Sequence, residues 1–167
     1  QEVLEAGVKF AHQAVVQHAP GGGTTLTAAV VLSEQVTIAH VGDSRAYFIY
    51  PDGRCQVMTQ DHSLVHRLIE LGQLTEEEAK THPQRNVVYR ALGQADPFRP
   101  DIKTLLMPRP GFLLICSDGL WGLVPEDVIC STVLSASRLS EACYQLVDLA
   151  NKNGGPDNIS VILVEIS

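Results

Sequence analysis

The sequence has no apolar stretch approaching the length of a membrane span, and nothing in it resembles a signal peptide. It has no excess of positive charge either: 12 Lys and Arg stand against 19 Asp and Glu, a formal net charge of −7. That balance argues against nucleic acid or an anionic membrane surface as a partner. It suits a protein that binds cations, and it suits plain solubility equally well. Cysteine is scarce. Cys55, Cys116, Cys130 and Cys143 show no C-x-x-C spacing and two of them lie in apolar runs, so buried free thiols in a reducing, cytoplasmic compartment are expected rather than a disulfide framework. There are no internal repeats and no low-complexity segments. No Gly-Lys-Ser/Thr follows Gly21-Gly22-Gly23-Thr24-Thr25, which excludes a nucleotide P-loop and leaves a glycine lead-in to a close-packed strand. His12, His18, His40, His66 and His82 have no metal-ligand spacing and read as surface or satisfied core residues. No methionine precedes Gln1, which already stands inside a helical pattern, and a fragment of a longer chain is the expectation.

What is present is one domain's worth of chain, 167 residues of which 45% are hydrophobic. Its most informative stretch runs from Phe112 through Cys116 to Ser117-Asp118-Gly119-Leu120-Trp121. A continuous apolar run, entered from Pro108, Pro110 and Gly111, predicts a strand buried on both faces, with Asp118 held where that strand ends. Around it, helical periodicity covers about Glu2 to Ala19, stopped by Pro20 and three glycines. Thr24 to Leu32 and Val36 to Val41 read as strands joined by Ser33-Glu34-Gln35. Gly42-Asp43-Ser44-Arg45 interrupts before a third strand, Ala46 to Tyr50, and Pro51-Asp52-Gly53 turns into Cys55 to Met58. This is an antiparallel meander rather than strand–helix alternation.

From Ser63 to Asn86 no strand pattern survives. Ser63 caps a short helix that stops at Gly72, and Thr75-Glu76-Glu77-Glu78 forms a capping box for another. Thr81 to Arg85 reads as an exposed, mobile connection. Val87 to Leu92 returns to apolar alternation, Ile102 to Met107 is a further strand, and Pro125-Glu126-Asp127 opens a helix. Leu139 to Asn151 is an amphipathic helix with Ala142, Cys143, Leu146, Val147 and Ala150 on one face. Ile159 to Ile166, apolar on both faces, reads as a central strand.

Three acidic residues each sit at a strand boundary beside glycine: Asp43, Asp118 and Asp157. Any one alone is a plain turn. Brought together they acquire a different meaning, because two carboxylates ~4 Å apart repel by roughly 4 kcal/mol at an effective dielectric of 20. Such a cluster takes up protons or a cation, and an all-oxygen donor set favours Mg²⁺ or Mn²⁺ over zinc. Asp61-His62-Ser63 reads as a helix entry rather than a hydrolytic triad, since neighbours in sequence do not make one. Arg45 beside Asp43 reads as one half of a structural ion pair.

Gly23-Thr24-Thr25, Gly42-Asp43-Ser44-Arg45, Gln60-Asp61-His62-Ser63, Arg90-Ala91-Leu92-Gly93, Ser117-Asp118-Gly119-Leu120-Trp121 and Gly155-Pro156-Asp157-Asn158-Ile159 occur in a fixed order along almost the whole chain. In that order and spacing the sequence resembles the metal-dependent protein serine/threonine phosphatases of the type 2C class, in their bacterial branch. The resemblance implies an α+β fold in which two antiparallel sheets pack face to face with helices on both outer sides. It implies Asp118 and Asp157 as ligands of a binuclear Mn²⁺ or Mg²⁺ centre, Asp43 assisting with a third ion, and residues from about Ser63 to Asn86 as a flap beside the site that positions substrate. The implied reaction is hydrolysis of phosphoserine or phosphothreonine by a metal-activated water, with phosphorylated proteins as substrates and a Ser/Thr kinase as a candidate partner. The family's N-terminal Asp-Gly motif, which bridges the first two metals, and its phosphate-binding arginine do not precede Gln1, and Asp52-Gly53 lies in a hairpin and does not replace them. The resemblance thus starts at the family's second helix and the domain, residues 1–167, is expected to be N-terminally incomplete. On that reading the chain by itself hydrolyses phosphoserine poorly and exposes strand edges that favour self-association. Two rival readings stand beside it: a pseudophosphatase acting as an interaction module, and a general β-sandwich binding domain, which leaves the three Asp-bearing turns unexplained.

Overall fold

A computed structural model describes residues 1–94 and 98–167. The elements are, in chain order, α1 (Glu2–His18), β1 (Leu26–Leu32), β2 (Gln35–Val41), β3 (Arg45–Ile49), β4 (Cys55–Val57), α2 (Leu64–Glu70), α3 (Glu76–Thr81), β5 (Asp101–Leu106), β6 (Gly111–Cys116), α4 (Asp118–Trp121), α5 (Glu126–Ser135), α6 (Leu139–Lys152) and β7 (Val161–Ile166). All strand pairs are antiparallel, in one sheet ordered β1-β2-β5 and a second ordered β4-β3-β6-β7. The chain divides into two compact units, one formed by Gln1–Ser44 with Asp61–Leu106 and the other by Arg45–Gln60 with Met107–Ser167.

The first unit is built on the three-stranded sheet. Helix α1 lays Leu4, Val8, Ala11 and Val15 on Ala39 and Val41 of β2, Ile102 of β5 and Leu92. The i, i+4, i+7, i+11 spacing of those residues is what places them on one stripe. A hydroxyl pair, Thr37 to Thr104 at 2.9 Å, ties β2 to β5 across a directly opposed position. Gly42 ends β2 at φ +113°, a conformation that glycine adopts without a side-chain clash. A Cβ there would stand 2.3 Å from the Thr25 methyl, so the turn that carries Asp43 can be made only by glycine.

The second unit centres on β6. Its register pairs Leu114 with Tyr47 of β3 on one side and Leu163 of β7 on the other, and Leu113 and Leu114, which point to opposite faces, are both fully buried. The expected strand buried on both faces is present. Helices α5 and α6 cover one face, with Ile129, Cys130 and Val133 from α5 and Leu146 and Ala150 from α6 meeting Tyr47, Ile49 and Leu114. Burying one side chain of Leu or Ile size contributes about 2 kcal/mol, so this layer supplies much of the unit's stability.

Two expectations fail. Ile159 to Ile166 is not a central strand: β7 spans Val161–Ile166 at the edge of its sheet, with Ile162 58% and Val164 39% exposed. Val161 and Leu163 pack on the helix-covered face, while on the other face only Ile166, at the strand's end, is buried, so apolar composition here does not mean burial on both faces. Nor do residues 87–92 form a strand. They make single bridges, Ser63 to Val88 and Thr24 to Leu92, with Val87 and Tyr89 exposed.

The segment between β4 and β5 starts from a buried anchor. Ser63 caps α2 by accepting the His66 N–H, and Thr75 and Glu78 make the reciprocal capping box of α3, both as expected. Ahead of them His62 is 2% exposed. Its Nδ1 accepts the Gly42 N–H at 3.1 Å, its N–H donates to the Gly42 carbonyl at 2.7 Å, and its Nε2 lies 3.1 Å from Asp101 Oδ2. An accepting Nδ1 puts the neutral ring's proton on Nε2, where it donates to Asp101. Arg90 Nη1 donates to the other oxygen of that carboxylate at 2.8 Å and stands 3.0 Å from Nε2. Burial first, and the nearby Arg90 charge as well, hold the His62 pKa below its ordinary 6.5, outweighing the Asp101 carboxylate. The unfolded chain therefore takes up this proton at a higher pH than the folded one. The stabilisation is complete above about pH 6.5 and is lost as pH falls from there to the lower folded value. Urea unfolding followed between pH 7.5 and 5 is expected to show the midpoint falling with acidity, and His62→Gln is expected to flatten that slope.

Candidate metal centre

Asp118 and Asp157 lie on adjoining segments at one end of the second sheet. Asp118 follows β6 and is the first residue of the four-residue helix α4 rather than part of a free turn; Ser117 stands at the N-cap position but its hydroxyl makes no cap bond. Its Oδ1 accepts the Gly119 N–H at 2.9 Å. Asp157 lies in the exposed stretch that leads from α6 into β7, and its Oδ1 accepts the Asn158 N–H at 2.7 Å. In both cases one carboxylate oxygen is engaged by the backbone of the following residue, which fixes the side chain's direction at the cost of one acceptor site.

Ser117 holds the two segments together. Its N–H donates to the Ser160 carbonyl at 3.1 Å, its hydroxyl accepts the Ser160 N–H at 3.0 Å, and the same hydroxyl donates to the Asn158 carbonyl at 3.1 Å. The ladder between β6 and β7 ends at Cys116 and Val161, so these three bonds extend the pairing past the sheet. Gly119 then packs directly on the Asn158 carbonyl, and a Cβ would stand 2.4 Å from that oxygen. One residue past Leu120, Trp121 carries the Arg45 guanidinium over its ring at 3.6 Å, a cation–π contact that anchors α4 to the start of β3. Arg45 also hydrogen-bonds to the Tyr47 side chain, so its charge is used at the start of β3 as well as on the ring.

Asp43 lies in the first unit, 9% exposed, in the turn after Gly42. The adjacent Ser44 hydroxyl is 3.0 Å from that of Thr25, and its carbonyl accepts from Thr27, so the turn is tied to β1 on both sides of the chain direction. Asp61, read from sequence only as part of a helix entry, is a second buried carboxylate of this unit at 4% exposure. The backbone bonds between His62 and Gly42 place the 61–62 segment beside the Asp43 turn. The signal for it was a carboxylate preceding a histidine that the tertiary fold buries, and neither residue type nor spacing reveals that alone.

Among the described residues, no group of three or more His, Cys, Asp or Glu side chains gathers at metal-binding spacing. Asp118 and Asp157 nevertheless fit one hard divalent ion in donor chemistry: carboxylate oxygens only, each with one oxygen turned to the backbone, on segments locked to each other. Mg²⁺ is held in this way, through one or two carboxylates with water completing its shell. Gly119→Ala is expected to push the α4 start off Asn158 and destabilise the protein by about 2–3 kcal/mol, measured by thermal or urea unfolding, and to lower Mn²⁺ affinity with it.

The family profile described as Protein phosphatase 2C matches residues 4–159. The serine/threonine phosphatase Stp of Listeria innocua is 43% identical over 145 residues, which are 87% of this chain and 57% of that protein. The chain spans roughly three fifths of the length of the curated relatives it matches. Among solved structures, serine/threonine phosphatase Stp1 of Staphylococcus aureus superposes with a TM-score of 0.93 at 34% identity, over 99% of this chain and 67% of that one. The catalytic domain of the serine/threonine phosphatase PstP, solved in complex with two manganese ions, superposes with a TM-score of 0.82 at 30% identity, over 96% of this chain and 67% of that one. Two antiparallel sheets flanked by helices, six ordered motifs and a profile match across nearly the whole length lead to one assignment: this chain belongs to the protein phosphatase 2C family.

Proposed function

We propose that the protein is a metal-dependent serine/threonine protein phosphatase, with residues 1–167 forming a domain of that type. The observation that carries this reading is the Ser117 strap, which locks two carboxylates of the family's metal motifs, Asp118 and Asp157, onto one end of a buried sheet. The manganese ions in the PstP structure support the donor chemistry. Asp118 and Asp157 hold a Mn²⁺ or Mg²⁺ ion, and Asp43 contributes to a third. When bound, such ions acidify water and neutralise phosphoryl charge. The protein's own part is to fix the carboxylates, keep one oxygen of each on a backbone N–H, and bring the phosphoester to them.

Residues 63–86 act as the substrate flap. Arg67 and Lys80 are in ion pairs with Glu70 and Glu77, whereas Arg85 is exposed and makes no ion pair among the described residues. Arg85 is thus the flap cation with charge to offer an incoming phosphopeptide. The substrates are phosphoserine and phosphothreonine proteins, which makes a Ser/Thr kinase the enzyme that must supply them. No described helix is long and apolar enough to cross a membrane. That fact, the acidic charge and the free thiols support a cytoplasmic protein without a nucleic-acid or membrane partner. The apolar residues exposed on the edge strands β1 and β7 support self-association.

Calorimetric titration with Mn²⁺ is expected to show binding that Asp118→Asn and Asp157→Asn each weaken by about tenfold or more. In the natural protein, phosphate release from a phosphoserine peptide is expected to stop on chelation and to fall in both variants. Unchanged Mn²⁺ binding in both would remove these residues from the site, and chelator-resistant phosphate release would remove the metal from the mechanism. Arg85→Ala is expected to raise the KM for a phosphopeptide while leaving hydrolysis of a small aryl phosphate near its original rate; an equal fall in both assigns the flap a structural part only.

A further inference from the structure

Sulfur plays no part in the proposed chemistry, yet two of the four thiols touch. Cys55 opens β4, the short edge strand of the second sheet, and Cys130 stands among the buried residues of α5. Their side chains hydrogen-bond to each other, Cys130 as a core residue and Cys55 packed against that core from a half-buried position. Strand β4 and helix α5 pack against each other, with Cα atoms within 8 Å, and a disulfide between them needs Cα atoms about 4.4–6.8 Å apart. The tertiary fold alone makes this contact, since the two cysteines lie far apart in the sequence.

We propose that Cys55 and Cys130 are a site of reversible oxidation, forming a disulfide on exposure to a peroxide and so tying β4 to α5. Cys55, the more accessible sulfur, attacks one oxygen of hydrogen peroxide as its thiolate. The O–O bond breaks and, with one proton, water leaves, giving a sulfenic acid at Cys55. Cys130 then attacks that sulfur, its proton departs with the displaced hydroxide as a second water, and the S–S bond closes. Two electrons pass from sulfur to peroxide, and an external dithiol reverses the step. Burial pushes both thiols up, which leaves little thiolate at neutral pH and makes the first step slow. The second step is favoured by position, because the resolving thiol is already in contact with the oxidised one. The new bond closes a long stretch of chain and restricts the unfolded state accordingly.

The test is to treat the purified protein with hydrogen peroxide at neutral pH, then follow mass and thermal unfolding. The expected product is 2 Da lighter, melts on the order of 5–10 °C higher and reverts with dithiothreitol. Trypsin leaves Cys116 and Cys130 on one peptide, so chymotryptic cleavage after Trp121 is used to map the link. Cys55→Ser, at a half-buried position, is expected to abolish the product; Cys116→Ser and Cys143→Ser are expected to retain it. A link to Cys116, oxidation of Cys143 or irreversible sulfinic acid in place of the link, or a lower melting temperature for the linked form each overturns the proposal.

Discussion

Two carboxylate-bearing segments are joined here by a neutral hydroxyl. Ser117 gives and takes hydrogen bonds with the backbone of Asn158 and Ser160, and every other feature of that end of the second sheet depends on the closeness it enforces. Like charges separate when the chain is free to let them. The link between the Asp118 and Asp157 segments is accordingly made of neutral hydrogen bonds and not of charge. The close fit of Gly119 on the Asn158 carbonyl serves the same purpose by excluding even a methyl group.

The rigidity behind that strap comes from β6, paired on both sides and packed on both faces, with α5 and α6 over Tyr47, Ile49 and Leu114. The flap segment is organised differently. No residue of α2 and only Ala79 of α3 is buried, so the flap's order comes from caps and its attachment from the His62 anchor at one end. The molecule thus sets a firmly packed sheet end in one unit and a lightly packed segment in the other, two regions of unequal local stability.

Local chemistry was legible in the sequence where local chemistry decides the outcome. The β6 run with its Pro and Gly lead-in, the capping box at Thr75 and the Ala142–Leu146–Ala150 face of α6 all stand as expected. Glycine, carboxylate and strand end coincide at Asp43, Asp118 and Asp157, and the structure places each of them just outside a strand. What could not be read depends on partners remote in sequence. The edge position of β7 follows from which strands pair, not from its composition. Val87 to Leu92 alternates like a strand but finds only single residues, Ser63 and Thr24, to bridge. His62 and Asp61 look like a loop until Gly42, Arg90 and Asp101 close around them.

The single tryptophan lies three residues past Asp118, on the same four-residue helix, beneath the Arg45 guanidinium. A stacked cation draws on the ring's electron density, so the emission of Trp121 depends on how closely Arg45 rests against it. With no second indole to blur the signal, the protein carries an optical gauge on the short helix that Asp118 opens, and its own fluorescence reports how α4 sits against the start of β3 without any added label.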